Sequence, residues 1–315
     1  MNIITNIINM TKHYVTYSKQ NTVRHVDNDF VKIYNNITFS KILFTSKHST
    51  VYTDIDNIYV LKEYNPYVNN HDYIKDEIKI LKDLSTHNNS NIINLIMVSS
   101  EDDIYKLLFD RHGCDLLEYI TLSPPTIQQL NLIIIELFTT VSFIHSLNIA
   151  HNDIKCENIL IKDGHIKLCD FGYSSYMSDE YKIYKRRGTP HYISPDFFYN
   201  NVADGRLNDL WAVGIVICVV IYNIPFKKST DVIMTYDTDP YFWANFNIEF
   251  NKYYFENKKD KCTYRFQLQI LLKILLIKDE NERYEMIKSY DTTQSNNLCD
   301  ILINNHLFFT LINKN

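Results

Sequence analysis

Glycine is scarce in this 315-residue chain, with six residues in all. The favoured residues, isoleucine, asparagine, lysine and tyrosine, share AT-rich codons, so coding bias is a sufficient cause and carries no function by itself. Ordered cysteine spacing is also missing. Cys114, Cys156, Cys169, Cys218, Cys262 and Cys299 are scattered, with no Cys-x-x-Cys pair. This argues against a structural zinc site or a disulfide framework and makes a reducing, intracellular compartment the expectation. Charge of one sign does not dominate: a net charge of −5 gives no strong pull toward nucleic acid or an anionic membrane. Long apolar runs are lacking too. Ala212–Tyr222 falls short of the ~20 residues a membrane helix needs and reads as a buried core helix. The opening Met1-Asn2-Ile3-Ile4-Thr5-Asn6 lacks the basic start and apolar stretch of a secretory signal.

What is present is ordinary globular material, 45% hydrophobic and 22% charged, enough for one large domain or two lobes. Residues 1–36 show weak periodicity and read as an extension. From Ile37 short apolar runs separated by polar turns, Ile37–Phe39, Lys41–Phe44, Val51–Thr53 and Ile58–Leu61, mark an antiparallel sheet. A helix is expected over Asp72–Leu84, where Ile74, Ile78 and Leu81 recur at helical spacing. Two further strands are expected at Ile92–Val98 and Ile104–Phe109. Pro124-Pro125-Thr126 opens a long helix to about Leu147, with Thr126 and Gln129 spaced as a capping box. A small sheet-rich part, 37–110, thus precedes a larger helical part, 111–315.

The densest chemical signal is His151-Asn152-Asp153-Ile154-Lys155-Cys156-Glu157-Asn158, followed by Asp170-Phe171-Gly172. Any one Asp or Asn here would read as a solvated loop residue; the spaced set would not. Phosphoryl transfer from a nucleotide leaves the protein positioning and charge neutralisation to perform. One carboxylate must face the incoming hydroxyl, a second carboxylate and an amide must hold a metal, and a lysine can offset charge on the moving group.

This run resembles the catalytic loop and Asp-Phe-Gly of eukaryotic protein kinases, in their serine/threonine form because Lys155 follows Asp153 by two positions. Three downstream segments fall in the family's order over about residues 37–310. They are Gly188-Thr189-Pro190 through Asp196, Asp209-Leu210-Trp211-Ala212-Val213-Gly214, and Arg283. The resemblance implies an α+β bilobal fold, with ATP and Mg2+ as cofactors and proteins as substrates. Nucleic acid and a membrane segment are not indicated. It makes Asp153 the group that orients the substrate hydroxyl and accepts its proton, Lys155 the γ-phosphate contact, and Asn158 and Asp170 the magnesium ligands. Thr189 would brace Asp153 and Lys155, Asp209 would cap the loop backbone, and Asp196, where the family has Glu, would pair with Arg283.

On the nucleotide side, Tyr59-Val60-Leu61-Lys62 resembles the strand whose lysine grips the α/β-phosphates. An exposed strand lysine is the plainer alternative for Lys62. Its partner would be Glu77, which shares a helix face with Ile74 and Leu81, with Asp76 as competitor. Leu43, Val51, Val60 and Leu160 resemble the plates around adenine, though core packing alone explains their apolarity. The resemblance puts Leu108 at the back of the pocket, Phe109–His112 at the hinge and Asp115 at the ribose.

Two features break the pattern. Phe44, Ser46 and Ser49 stand where the family's loop has glycines that let amides approach phosphate. The hydroxyls of Ser46, Ser49 and Thr50 are either replacement donors or part of a plain polar turn. Asn152 replaces the arginine that in many kinases reads a phosphate on the activation segment, so no phosphate sensing is expected there. The basic run Lys182, Lys185, Arg186 and Arg187 is either solvated, a substitute phosphate pocket, or a contact for acidic substrates. The short helical lobe, the absent glycine loop and the His151-Asn152-Asp153 wording resemble divergent kinases of large DNA viruses, which would place the protein in a host cytoplasm or virion. The rival to catalysis is a pseudokinase scaffold, supported by the lost glycines and opposed by the retention of Lys62, Asp153, Asn158 and Asp170.

Overall fold

A computed structural model describes residues 37–66, 71–101, 104–222, 261–292 and 294–304; the extension expected over 1–36 lies outside them. The chain forms two compact units. One ends at Arg111, and the other comprises Asn88–Ile92 and His112 onward.

The first unit is an antiparallel sheet with one helix. Strands β1 (Phe39–Thr45), β2 (Ser49–Asp54) and β3 (Tyr59–Tyr64) precede helix α1 (His71–Ser85), and β4 (Leu95–Glu101) and β5 (Ile104–Asp110) follow it. The sheet order is β1-β2-β3-β5-β4. The two runs expected at Ile37–Phe39 and Lys41–Phe44 are largely one strand, β1, accommodated by irregularities between Phe39 and Lys41 and between Ile42 and Phe44. The Asp54 carboxylate closes the β2–β3 turn by accepting from the amides of Ile58 and Tyr59, each at 2.8 Å. Leu61 and Leu108 stand opposite each other at the centre of a buried patch with Tyr52, Tyr59 and Met97 around it. Helix α1 buries Ile74, Ile80, Leu81 and Leu84, and with them Glu77.

The second unit is mainly helical. A short strand β6 (Cys114–Asp115) leads into α2 (Leu116–Leu122), α3 (Ile127–Ser146) and strand β7 (Ile149–Ala150). Strands β8 (Ile159–Lys162) and β9 (His165–Leu168) form a hairpin, and β10 (Ser175–Tyr176) and β11 (Lys182–Tyr184) come next. Helix α4 (Pro195–Asn200), strand β12 (Val202–Asp204) and helix α5 (Gly205–Tyr222) follow, then α6 (Lys261–Leu275), α7 (Glu280–Lys288) and α8 (Leu298–Asn304). Helix α3 begins with the expected capping box: Thr126 and Gln129 each satisfy the other's amide. It is long and apolar enough to cross a membrane by length and composition, yet Leu130, Ile133, Leu137, Phe138 and Val141 are buried. Helix α5 is buried from residue 212 to residue 221, as the reading of its apolar run as core requires.

One boundary differs from expectation. The strand read from Ile92 begins at Leu95, because Ile92 belongs to the second unit and bridges Leu168. The cause is Asn91, whose carbonyl accepts from Leu168 N at 2.8 Å and whose amide donates to Ile166 O at 3.1 Å.

Candidate active site

In the first unit the chemistry rests on strand β3 and helix α1. Alternation along β3 puts Val60, Lys62 and Tyr64 on one face, where Lys62 stands opposite Val51 and Leu107. Its ammonium pairs with Glu77 Oε1 at 2.8 Å. The other oxygen, Oε2, accepts from the Tyr64 hydroxyl. Burying a carboxylate, here 2% exposed, is costly unless its oxygens are hydrogen-bonded, and here both are. Asp76, the competing residue, is exposed. Tyr64 was not anticipated, although its place two residues beyond Lys62 on a strand was the available signal. Burial, with Glu77 beside it, pushes its phenol pKa well above the ordinary value, against the opposing pull of Lys62.

The turn between β1 and β2 departs from a phosphate cradle in a defined way. Ser46 Oγ accepts from the backbone amides of His48 (3.1 Å) and Ser49 (3.0 Å) and donates to Ser49 O (3.2 Å). Donors that could meet an anion are met by the chain's own hydroxyl. Ser49 is buried, and Phe44 is exposed.

In the second unit the loop over residues 151–158 is held by Asp209, which is fully buried. Its carboxylate accepts from His151 N at 2.8 Å and Asn152 N at 2.9 Å, and meets His145 Nε2 at 3.0 Å. His151 faces Phe171 edge-on at 4.8 Å. Its Nε2 lies 3.1 Å from Cys169 O, and its Nδ1 receives the Asp153 amide at 3.3 Å. A carbonyl on one nitrogen and an N–H on the other select a single neutral tautomer. Burial correspondingly lowers the imidazole pKa, over the opposing pull of Asp209 and Asp153.

Asp153 is the hub. Its Oδ1 accepts from Thr189 N at 2.7 Å; its Oδ2 meets Lys155 Nζ at 2.9 Å and Asn158 Nδ2 at 3.0 Å. Lys155 also donates to Thr189 Oγ1 at 2.9 Å. Burial works against charge on Lys155, but Asp153, followed by Glu157 and Asp170, more than offsets it, so its pKa is raised. Gly188 is required at its position: a Cβ there would lie 2.1 Å from Asn152 O, and φ is +100°.

Asn158 and Asp170 offer two hard oxygens suited to magnesium, which takes a few protein oxygens and completes its shell with water and phosphate. Asn158 Nδ2 is committed to Asp153 O (2.8 Å) and Oδ2, leaving the amide oxygen as the ligating atom. Asp170 is exposed and at φ +60°. The residues therefore fit the ion.

The stretch from Asp170 to Asp196 is anchored along its length. Asn152 Nδ2 donates to Tyr173 O and Ser175 Oγ, both at 3.0 Å. Strand β10 pairs with β7, and β11 with β12. Lys182 pairs with Glu280 at 2.7 Å, while Glu280 Oε2 accepts from Asp204 N. The Arg206 guanidinium lies 3.5 Å over the Tyr181 ring. Arg283 is fully buried and approaches Asp196 at 3.7 Å. Asp is one methylene shorter than the expected Glu, and the pair is correspondingly long.

One expected pocket residue falls differently. Leu108 does not share the Lys62 face. It pairs with Leu61, so strand alternation turns it to the opposite side, and Leu107 and Phe109, opposite Lys62 and Val60, occupy the Lys62 face. Leu43 is 40% exposed at the irregularity in β1. Val51 and Val60 are half-buried, as is Leu160, which stands opposite Asp115 on β6. Asp115 is the N-cap of α2, accepting from Glu118 N at 2.8 Å.

A buried carboxylate hub, a lysine and threonine bracing it, and a hard-oxygen pair beside it define a phosphotransferase-type site. The chain matches the protein kinase domain family over residues 44–293 and belongs to that family; its fold is the α+β bilobal kinase fold. It is 32% identical over 168 residues to CBL-interacting protein kinase 21 of Oryza sativa subsp. japonica, covering 51% of this chain and 31% of that protein. It is 32% identical over 175 residues to serine/threonine-protein kinase ppk6 of Schizosaccharomyces pombe, covering 49% and 22%. To cyclin-dependent kinase-like 2 of Pongo abelii it is 31% identical over 165 residues, covering 51% and 33%. The chain thus spans a third or less of the length of these relatives.

Proposed function

We propose that the chain transfers the γ-phosphate of ATP to serine or threonine hydroxyls of proteins. The observation that carries this reading is the donor set around Asp153. A carboxylate has about four lone-pair sites, and Thr189 N, Lys155 Nζ and Asn158 Nδ2 occupy three. The remaining site is available to one O–H. The hydroxyl oxygen attacks the γ-phosphorus, the bond to the β-bridging oxygen breaks, ADP leaves, and Asp153 takes the hydroxyl proton. Lys155 offsets charge on the moving group, while Glu77 and Tyr64 hold Lys62 for the α/β-phosphates. Bound magnesium, on Asn158 and Asp170, would neutralise phosphate charge. Serine/threonine acceptance is supported by the Lys155–Thr189 contact and by the relative named a serine/threonine-protein kinase.

The test is transfer from labelled ATP with magnesium to a generic acceptor protein, followed by phosphoamino-acid analysis, beside Asp170→Ala. Label on serine and threonine that Asp170→Ala loses supports the proposal; equal labelling by both proteins refutes it. A second reading, a scaffold without turnover, draws on one observation, the self-capped Ser46 turn. It predicts nucleotide or partner binding with no transfer.

A further inference from the structure

We infer that Arg186 selects protein acceptors carrying an anionic side chain, carboxylate or phosphate, near the target hydroxyl. The inference rests on the proposed transfer to proteins and names the substrate class.

The first support is position. Gly188 packs on the catalytic loop, where a Cβ would lie 3.5 Å from Asp153 Oδ1. Two Cα steps span at most about 7.6 Å, so the backbone of Arg186 lies close to the group that meets the acceptor. The second is anchoring. The backbone just before it is pinned by the β11–β12 ladder, in which Tyr184 faces Val202, and by Lys185 N donating to Asn201 O at 3.1 Å. The guanidinium itself sits 4.6 Å over the Phe198 ring and donates from Nη1 to Phe198 O at 2.7 Å. A fork held flat on an aromatic loses little further freedom when it binds an anion.

The third support is unsatisfied charge. Arg186 is exposed, and one of its five N–H groups is used on Phe198 O. Among the described residues neither Arg186 nor its neighbour Lys185 has a carboxylate within ion-pair distance, whereas Lys182, slightly upstream, is already held by Glu280. A planar fork matches carboxylate or phosphate in bidentate fashion. Around it Tyr184 (60% exposed), Tyr199 (71%) and Val202 (39%) leave apolar surface open, which favours a peptide chain over a bare ion. Lys185 adds a second, less constrained cation.

The experiment uses the full chain and one serine peptide in three versions, flanked by glutamate, phosphoserine or lysine. Both KM and kcat are measured, together with peptide binding by fluorescence anisotropy at low and high salt. An exposed charge pair corresponds to about two- to fivefold in affinity, and exchanging attraction to an anion for repulsion of a lysine counts it twice. The wild type is therefore expected to show a KM about tenfold lower for the anionic peptides than for the lysine peptide, with the difference confined to KM. Arg186→Glu should reverse the order, Arg186→Lys should keep part of it, and added salt should compress it. The better of the glutamate and phosphoserine peptides identifies the anion. Equal binding of all three peptides, or an order unchanged by Arg186→Glu in a protein that melts normally, overturns the inference. Should transfer fail for every peptide while anisotropy still ranks them through Arg186, the proposed activity falls and the anion site stands.

Discussion

Replacing Ser46 with alanine should strengthen ATP binding. In the structure its hydroxyl takes the amides of His48 and Ser49 at 3.1 and 3.0 Å, the donors a phosphate oxygen would otherwise use. For ATP to use them, those two bonds must be exchanged. A neutral hydrogen bond contributes about 0.5–1.5 kcal/mol net. Ser46 is only half-buried, so the lower part of that range applies, about 1–2 kcal/mol for the pair. At ~1.4 kcal/mol per decade this is about a five- to thirtyfold gain in ATP affinity. The hairpin should survive, because Ser46 N still donates to Ser49 O at 2.9 Å. Calorimetric titration with ATP and with adenosine separates the effects: ATP should tighten and adenosine should not move. A weaker ATP affinity in Ser46→Ala would refute the reasoning and make the hydroxyl a phosphate ligand or a needed brace. Glycine substitution at Ser49 is the poorer test, since that residue is buried at the start of β2.

Tyr64→Phe leaves Glu77 Oε2 buried without its donor; we expect a loss of about 1–3 kcal/mol in denaturant unfolding. Lys62→Met should cut turnover severely with the fold intact, and unchanged kinetics would return Lys62 to a plain strand lysine. Asp196→Glu should shorten the 3.7 Å approach to Arg283 and raise stability by about 1 kcal/mol; a lower melting temperature would contradict this. His151 has a folded pKa below its ordinary 6.5, so the unfolded state binds the extra proton first. Its contribution is therefore full above 6.5 and declines as pH falls below it. His165, raised mainly by its hydrogen bond to Glu136, acts in the opposite sense: its contribution is full below 6.5 and is lost as pH rises through its folded pKa. Urea unfolding of His151→Gln against wild type between pH 7 and 5 isolates the first slope, which should flatten in the variant. Finally, Asn152 already ties Tyr173 and Ser175, so phosphatase treatment, checked by mass spectrometry at Ser174, Ser175, Ser178, Tyr181 and Tyr184, should leave the rate on an external substrate unchanged. A large loss restored by rephosphorylation would show that Lys185, Arg186 or Arg187 replaces the missing arginine.

Legibility tracked how local each determinant is. The Asp153–Asn158 loop and the preference for Glu77 over Asp76 follow from fixed spacing and helical phase, both written in the sequence. Leu108 was misplaced because strand phase depends on register: one step along β5 turns a side chain to the other face, and only the pairing with Leu61 decides it. Ile92 read as strand because it is apolar, while the bonds that draw it to the second unit come from Asn91 to residues far along the chain. The ribose role expected of Asp115 competes with a helix N-cap, a use that the following helix itself signals. Ser46 was seen as either a donor or a turn residue; its acceptance of two amides depends on turn geometry that composition does not encode.

Among the described residues, the shortage of glycine is met in part by asparagine, which holds half of the left-handed positions that carry a side chain. Asn57, Asn88, Asn148, Asn152 and Asn201 all have positive φ, with Asp163 and Asp170 beside them. Asn and Asp tolerate this region better than other side-chain-bearing residues. At Gly188, over Asn152 O, and at Gly113, where a Cβ would lie 1.8 Å from Ile161 O, no side chain can fit. Asn152 shows that the exchange adds function: the backbone turns at φ +66°, and the amide that accompanies the turn fastens Tyr173 and Ser175. At Ser46, where the family resemblance expects glycine, the side chain bonds to the turn's own amides. One compositional bias therefore fastens the segment after Asp170 and occupies the amides of the β1–β2 turn, and the Ser46 and phosphatase experiments measure its two sides separately.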